Sequence, residues 1–448
     1  MARTGTMDLT TGRPIQQILL FSLPLVAGTL FQQLYSFVDT VMVGRLISND
    51  ALGAVGATSA MGYMILGFVL GSCVGFSIPL AKAVGARDMG EFQRYFFNGC
   101  WLCLGLSILV TVLTVSLTPA LLRMIHTPEA LLSDARTYIT IIFLGIPSAY
   151  LYNFCSAALR AVGDSQRPTY FLLASSLLNI VLDYVFILVI PMGVAGAALA
   201  TVLSQLFSGI LNFWWLAAKT DVLKNSREFR KLSIGHIRDL CRVGFPMGVD
   251  HCFSAFGTVL MQSAINTLGT AAVTGQTAGE KIRQMFTLPM ESVGMGMATY
   301  AGQNDGAGRT DRIREGIRAG LTIQLSYCAC AWIAIYFGKG AFASFVLGPG
   351  AGEAGRLAVR YLSIISCLFC FHGSLMIMRN TLQGMGHSPQ AVLSGICELA
   401  GRAVGSWLSV MFFGFTGICF ASPMAWATAL VYCSVMVLHF LKKRTNPQ

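Results

Sequence analysis

Residues 177–190, LLNIVLDYVFILVI, set Asn179 and Asp183 four residues apart in an otherwise apolar run. On a helix, positions i and i+4 share one face, so an amide and a carboxylate point the same way inside a stretch suited to lipid. A carboxylate at mid-membrane costs roughly +2.5 to +3.5 kcal/mol even on lenient insertion scales. Such groups persist where they line an ion or substrate path. Pro191-Met192-Gly193 then turns tightly into a second apolar run carrying Thr201, which makes the two runs neighbours.

Composition extends this reading to the whole chain. Only 11% of residues are charged and 54% are apolar, whereas soluble domains carry roughly 25% charged residues. A span needs about 20 mostly apolar residues. Twelve segments are expected, at 16–44, 51–80, 92–119, 134–158, 167–190, 194–218, 244–268, 272–300, 316–338, 356–378, 388–412 and 417–441. The polar start, with Arg3 and Arg13, lacks a small-residue cleavage site, so the first span is expected to be retained. With both termini in the cytoplasm, 22 Lys and Arg fall inside and 6 outside, as the positive-inside rule requires. Basic loops facing anionic lipid account for the net charge of +11 without a nucleic-acid partner.

The chain also repeats itself. SLPLVAGTLFQQLYSFVDTVMVG (22–44) has a counterpart in GFPMGVDHCFSAFGTVLMQSA (244–264), each with a proline, Pro24 or Pro246, expected one turn into its helix. AKAVGARDMGEFQR mirrors GQNDGAGRTDRIR, and ALRAVGDS mirrors TLQGMGHS, pairing Gly85 with Gly306 and Gly163 with Gly386 at separations of 221–223 residues. Six spans per half is an even number, so both halves enter the membrane in the same sense. The expectation is an all-α integral membrane protein of two six-helix lobes, 1–218 and 244–448, related as a parallel repeat with cargo bound between them. Segment 219–243, with Lys224, Arg227, Arg230 and Lys231, is the expected linker, and its SIGHIRDLCRVG end a surface helix.

Depth arithmetic groups the polar residues. Asp183 lies seven residues before the end of its span and Thr201 seven after the start of the next, each roughly 10 Å below the outer surface at 1.5 Å per residue. Asp39, five residues before Gly44, sits at a similar level of roughly 8 Å. Hard oxygen ligands of this kind suit a small cation, and two desolvated carboxyls side by side suit a shared proton. Asp39, Asn179, Asp183 and Thr201 are therefore the candidate site for H+ or Na+. The competing reading is a set of helix-bridging hydrogen bonds with Asp39 protonated. Gln32 and Tyr35 share the Asp39 stripe and serve equally well as interhelical hydrogen-bonding groups or as cargo contacts. In the second half, Glu398 and Arg402 stand at i and i+4 and form a salt bridge most simply. Glu280 either pairs with Arg283 or faces the cavity. The C-x-x-C pairs at Cys100/Cys103 and Cys367/Cys370 lack nearby His or acidic ligands and read as buried thiols.

The chain resembles the multidrug and toxic compound extrusion (MATE) family over nearly its whole length. The resemblance rests on P-x(7)-Q-x-x-Y-x-x-x-D-x-x-x-x-G from Pro24 to Gly44, on ALRAVGDSQRP, on NIVLD at 179–183 and on GQNDGAG at 302–308. GICELAGRAV and GICFASPMAW are further family-like runs. It implies export of amphipathic, often cationic, organic compounds in exchange for H+ or Na+ by alternating access, from a monomer in the cell membrane with no cofactor. It also implies an ion site in the N-terminal lobe at Asp39, Asn179, Asp183 and Thr201, with Gln32 and Tyr35 nearby. A polar residue late in span 4 of one branch corresponds to Ser156, with Asn153 a turn away. Acids at Glu280 and Glu398 leave room for a contribution from the second lobe. The alternative is a flippase for a lipid-linked precursor, which predicts extra spans and a cationic cavity. An intramembrane enzyme lacks a paired nucleophile and base.

Overall fold

The computed structural model describes residues 6–125, 127–218, 223, 230–348 and 350–445. Arg3, Lys219, Lys224 and Arg227 lie outside the described residues, as do 220–222, 225, 226, 228 and 229 of the expected linker. Thirteen helices follow in order: α1 Pro14–Met42, α2 Asn49–Gly85, α3 Met89–Met124, α4 Glu129–Leu144, α5 Ile146–Ala161, α6 Gln166–Tyr184, α7 Val194–Ala218, α8 Ile234–Asn266, α9 Thr270–Gly306, α10 Thr310–Leu347, α11 Gly352–Cys367, α12 Phe369–Gly384 and α13 Ser388–Thr445. There is no strand among the described residues.

Twelve membrane spans result. The α4–α5 pair bends by 44° and the α11–α12 pair by 49°, each pair making one broken span. Pro147, in the first turn of α5, has no N–H to continue the ladder of α4. Within α13 the backbone turns at Gly414 (φ 55°, ψ −137°), a conformation open to glycine alone, and the helix becomes two spans there. Among the described residues, nine of the twelve are apolar enough to cross on composition alone. The three that fall short are α8, α9 and the first part of α13, which carry Asp250 and His251, Glu280 to Arg283 with Glu291, and Glu398 with Arg402. Asp250 and Glu398 are buried and Glu280, Arg283 and Arg402 partly so, whereas Lys281 and Glu291 are exposed.

Two expectations about local structure change. Pro24 is the eleventh residue of α1 and Pro246 the thirteenth of α8, so both are interior prolines and not first-turn ones. The helices start earlier, their first backbone bonds running from Gln17 N–H to Arg13 O and from Ile237 N–H to Ser233 O. The SIGHIRDLCRVG segment is the opening of α8 and not a separate surface helix. Its start is fastened to α3, where Asn98 accepts from the Ser233 N–H (2.7 Å) and Glu91 contacts His236 (3.1 Å).

The chain forms two compact units, one of Met1–Asp8 with Ala27–His251, the other of Leu9–Val26 with Cys252–Gln448. The first is built around Phe76, Phe92, Phe96, Tyr150 and Phe154, the second around Met290, Ile335, Tyr361, Phe369 and Trp426. Within the second unit the GQNDGAG run proves to be an anchor. Gln303 accepts from the Leu9 N–H (3.1 Å) and Asn304 donates to the Leu9 carbonyl (3.0 Å). Arg312 donates to the carbonyls of Thr11 and Gly12 (both 3.0 Å). Of the C-x-x-C residues, Cys103 is buried, but Cys367 is exposed and accepts from the Trp332 indole at 3.0 Å.

The repeat is visible in the turns. Gly163 N–H donates to Arg160 O and Asp164 N–H to Leu159 O. Gly386 and His387 do the same to Gln383 O and Leu382 O, with Gly163 and Gly386 at φ 91° and 80°. The turns after α2 and α9 also match, with the left-handed position taken by Arg87 (φ 58°) in one and Gly308 (φ 69°) in the other. At Gly163 the Met7 backbone packs where a Cβ would stand, and Met7 N–H donates to Gly163 O. Gly163→Ala is therefore expected to cost at least about 1–2 kcal/mol, the left-handed penalty alone. A lowered melting temperature of the purified protein in detergent is the check.

Candidate functional site

In the first unit, α1, α6 and α7 bring Asp39, Asn179, Asp183 and Thr201 together. Asn179 and Asp183 are almost wholly buried, at 1% and 0% exposure. Both amide atoms of Asn179, both carboxylate oxygens of Asp183 and Oδ1 of Asp39 lack a hydrogen-bond partner in the protein. Asp39 and Asp183 nevertheless lie against each other. These are acceptors facing acceptors. Two like charges about 4 Å apart repel by about 4 kcal/mol at an effective dielectric near 20, so only a proton or a cation between them reconciles the pair. A helix-bridging hydrogen bond between the two carboxyls needs the same proton, carried by Asp39 or Asp183.

Local backbone irregularity accompanies the acids. The helix of α1 widens into a π-helical turn at Val43–Ile47, four residues past Asp39. The helix of α6 does so at Val185–Val189, two residues past Asp183. Such turns are rare and concentrate at functional sites. A cavity of about 20 Å³ adjoins the acids, lined by Gln32, Tyr35, Tyr152, Asn179 and Thr201 together with serines of α6 and α7. That is room for one or two water molecules or a small cation, and far too little for an organic cargo. Thr201 also bonds its own helix, through Ala197 O at 3.1 Å.

The other candidates divide. Gln32 reaches the Tyr35 hydroxyl, and Tyr35 neighbours Tyr152 and both acids. Asn153 and Ser156 are not part of the cavity lining. Asn153 donates to its own helix at Ala149 O (2.8 Å), and Ser156 accepts from Arg160 (2.7 Å). Tyr138 of α4 and Tyr152 of α5 are the residues missed from sequence. Tyr138 stands within electrostatic reach of Asp39 and Asp183, yet nothing in ARTYITIIF sets it apart. The serines were findable: Thr201, Ser204, Ser208 and Asn212 follow at helical spacing.

The second unit treats its charges differently. Glu280 is held by Arg283 (2.5 and 2.8 Å) and by the Tyr361 hydroxyl (2.6 Å). Glu398 accepts from Arg402 (2.8 Å) and, unforeseen, from Arg379 of α12 (2.6 Å). With the 222–223-residue offset, Asn179 corresponds to Arg402 and Tyr35 to Gly257. A Cβ on Gly257 would meet the Arg402 guanidinium. Where the first unit leaves a cavity between α1 and α6, the second fills the equivalent space with a resident cation. Among the described residues no group of three or more His, Cys, Asp or Glu is placed to hold a metal.

Comparison with known proteins agrees with this duplicated architecture. The MatE family model matches twice, over residues 24–185 and 246–408. The probable multidrug resistance protein YpnP of Bacillus subtilis (strain 168) is 30% identical over 387 residues, 86% of each chain. The probable multidrug resistance protein NorM of Thermotoga maritima is 23% identical over 406 residues, 89% of this chain and 86% of its own. A multidrug resistance MATE family transporter of the MOP superfamily, solved in an outward-facing conformation, has the same fold, with a TM-score of 0.93 at 21% identity over 100% of both chains. With both halves matched by one family model, this multi-pass membrane protein belongs to the MatE family of transporters.

Proposed function

We propose that this chain is a secondary active antiporter that exports amphipathic, often cationic, organic compounds in exchange for H+ or Na+ by alternating access. The observation that carries the reading is the Asp39–Asp183 pair, a partly buried and a fully buried carboxylate with no protein donor to Asp39 Oδ1 or to either oxygen of Asp183. Relatives described as multidrug resistance and multidrug export proteins support the cargo class. The small cavity beside the acids supports separate places for ion and cargo. Ion binding at the pair favours one lobe arrangement, with α1 bending near Pro24, whose ring removes a backbone bond, and Gly28. The protein sits in the cell membrane as a monomer with both termini cytoplasmic, an orientation that the basic inner loops support.

The test is drug efflux from proteoliposomes under separately imposed pH and Na+ gradients. One gradient is expected to drive ethidium export above the passive rate, and the gradient that does so identifies the ion. Export indifferent to both gradients, together with lipid scrambling by the purified protein, would replace this reading with the flippase.

A further inference from the structure

Beyond the acid pair, three helices of the first unit turn polar side chains inward at helical spacing. On α6, Ser176, Asn179 and Asp183 follow at i, i+3 and i+7. On α7, Thr201, Ser204, Ser208 and Asn212 cover eleven residues, roughly 16 Å of rise. On α5, Tyr152, Ser156 and Arg160 descend in steps of four. α7 packs against both α5 and α6. Small size alone would not require these residues, since alanine packs helices together without a polar group to satisfy.

Protein satisfies the row only in part: Asn212 Nδ2 donates to Ser208 O at 2.7 Å, and Ser176 and Thr201 donate to their own helices. Asn179, Ser204 and Asn212 are exposed by 1%, 4% and 0%. Both amide atoms of Asn179, Ser204 Oγ and Asn212 Oδ1 have no protein partner. A buried polar group left unpaired costs about 1–3 kcal/mol, and buried water is the usual remedy. The cavity beside the acids already reaches from Asn179 along α7 to Ser208, one turn short of Asn212. At the far end Arg160 donates to Ser156 Oγ at 2.7 Å, and no carboxylate pairs with it among the described residues.

We propose that this row is the inner ion route. A proton or Na+ released from Asp39 and Asp183 passes Asn179 and Ser204, then Ser208 and Asn212, and reaches the cytoplasm within the first unit. Arg160 closes its inner end, because a fixed cation raises an electrostatic barrier to other cations. The proposal rests on the ion-coupled reading above and adds where the ion travels.

The experiment compares Ser208→Leu, Ser208→Thr and Asp183→Asn in proteoliposomes, in separate pH-gradient and Na+-gradient arms, with drug binding measured on each purified variant. Ser208→Leu is expected to lower gradient-driven export at least about tenfold, the equivalent of ~1.4 kcal/mol, with drug binding within about twofold of wild type. Ser208→Thr keeps the hydroxyl and keeps export. If Ser208→Leu exports normally while Asp183→Asn does not, the route is overturned and the coupling site stands. If Asp183→Asn also exports normally, the coupling reading itself fails. Should Ser208→Leu not fold, Asn212→Leu blocks the same row one turn lower and is read identically. Arg160→Gln is expected to raise drug-independent ion leak severalfold, and an unchanged leak removes Arg160 from the route.

Discussion

Replacing Asp183 by Asn is expected to bring ion-driven drug export down to the passive background, a fall of at least about tenfold or ~1.4 kcal/mol. Asp39→Asn is expected to do the same. An amide keeps the shape of the carboxylate and its acceptor oxygen but neither releases a proton near neutral pH nor balances a cation. It also supplies the donor that the pair lacks, so the Asp183→Asn protein is expected to be at least as stable as wild type. Loss of transport with a gain in melting temperature separates a working ion site from a structural one. Were both variants to retain full gradient-driven ethidium export, the coupling site at these residues would be abandoned.

Glu398→Gln is expected to have the largest effect on stability. The Glu398 carboxylate lies between the guanidiniums of Arg379 and Arg402, at 2.6 and 2.8 Å, and both arginines are nearly buried. Removing the negative charge takes away the carboxylate that both guanidiniums share, and breaking a buried pair in this way costs about 3–5 kcal/mol. Melting temperature and chemical denaturation in detergent are the measurements. A variant that also replaces Arg379 and Arg402 by Met is expected to recover most of the loss, because no unpaired charge remains. If Glu398→Gln melts with wild type, the carboxylate is not what holds the two arginines. Failure of the Met variant to recover stability would instead assign the loss to packing.

The contrast between the halves explains why these predictions differ in kind. Asp39 Oδ1 and both oxygens of Asp183 have no protein hydrogen-bond partner, which leaves the pair open to the ion exchange proposed above. Glu280 and Glu398 are each committed to an arginine. Sequence spacing exposed the Glu398–Arg402 relation, since i and i+4 fall on one helix face. Arg379 was not legible, because it belongs to another helix and joins Glu398 only when α12 packs on α13. The reach of Arg402 to Gly257 was hidden for the same reason. Tyr152 was hidden likewise: it lines the small cavity beside the acids from α5, a helix that no spacing in the sequence ties to α1 or α6.

Sequence alone determined the membrane class, the duplication at 221–223 residues and the shared face of Asn179 and Asp183. Each depends on composition or on a helical period, both of them local. Only the tertiary structure decided that Asp39 meets Asp183 without a donor, that π-helical turns follow both acids, and that Arg402 fills the equivalent space in the second half. The physical reason is that a helix period states which side chains share a face. What that face meets depends on packing between segments far apart in the chain, and the ion chemistry of this protein lies in that packing.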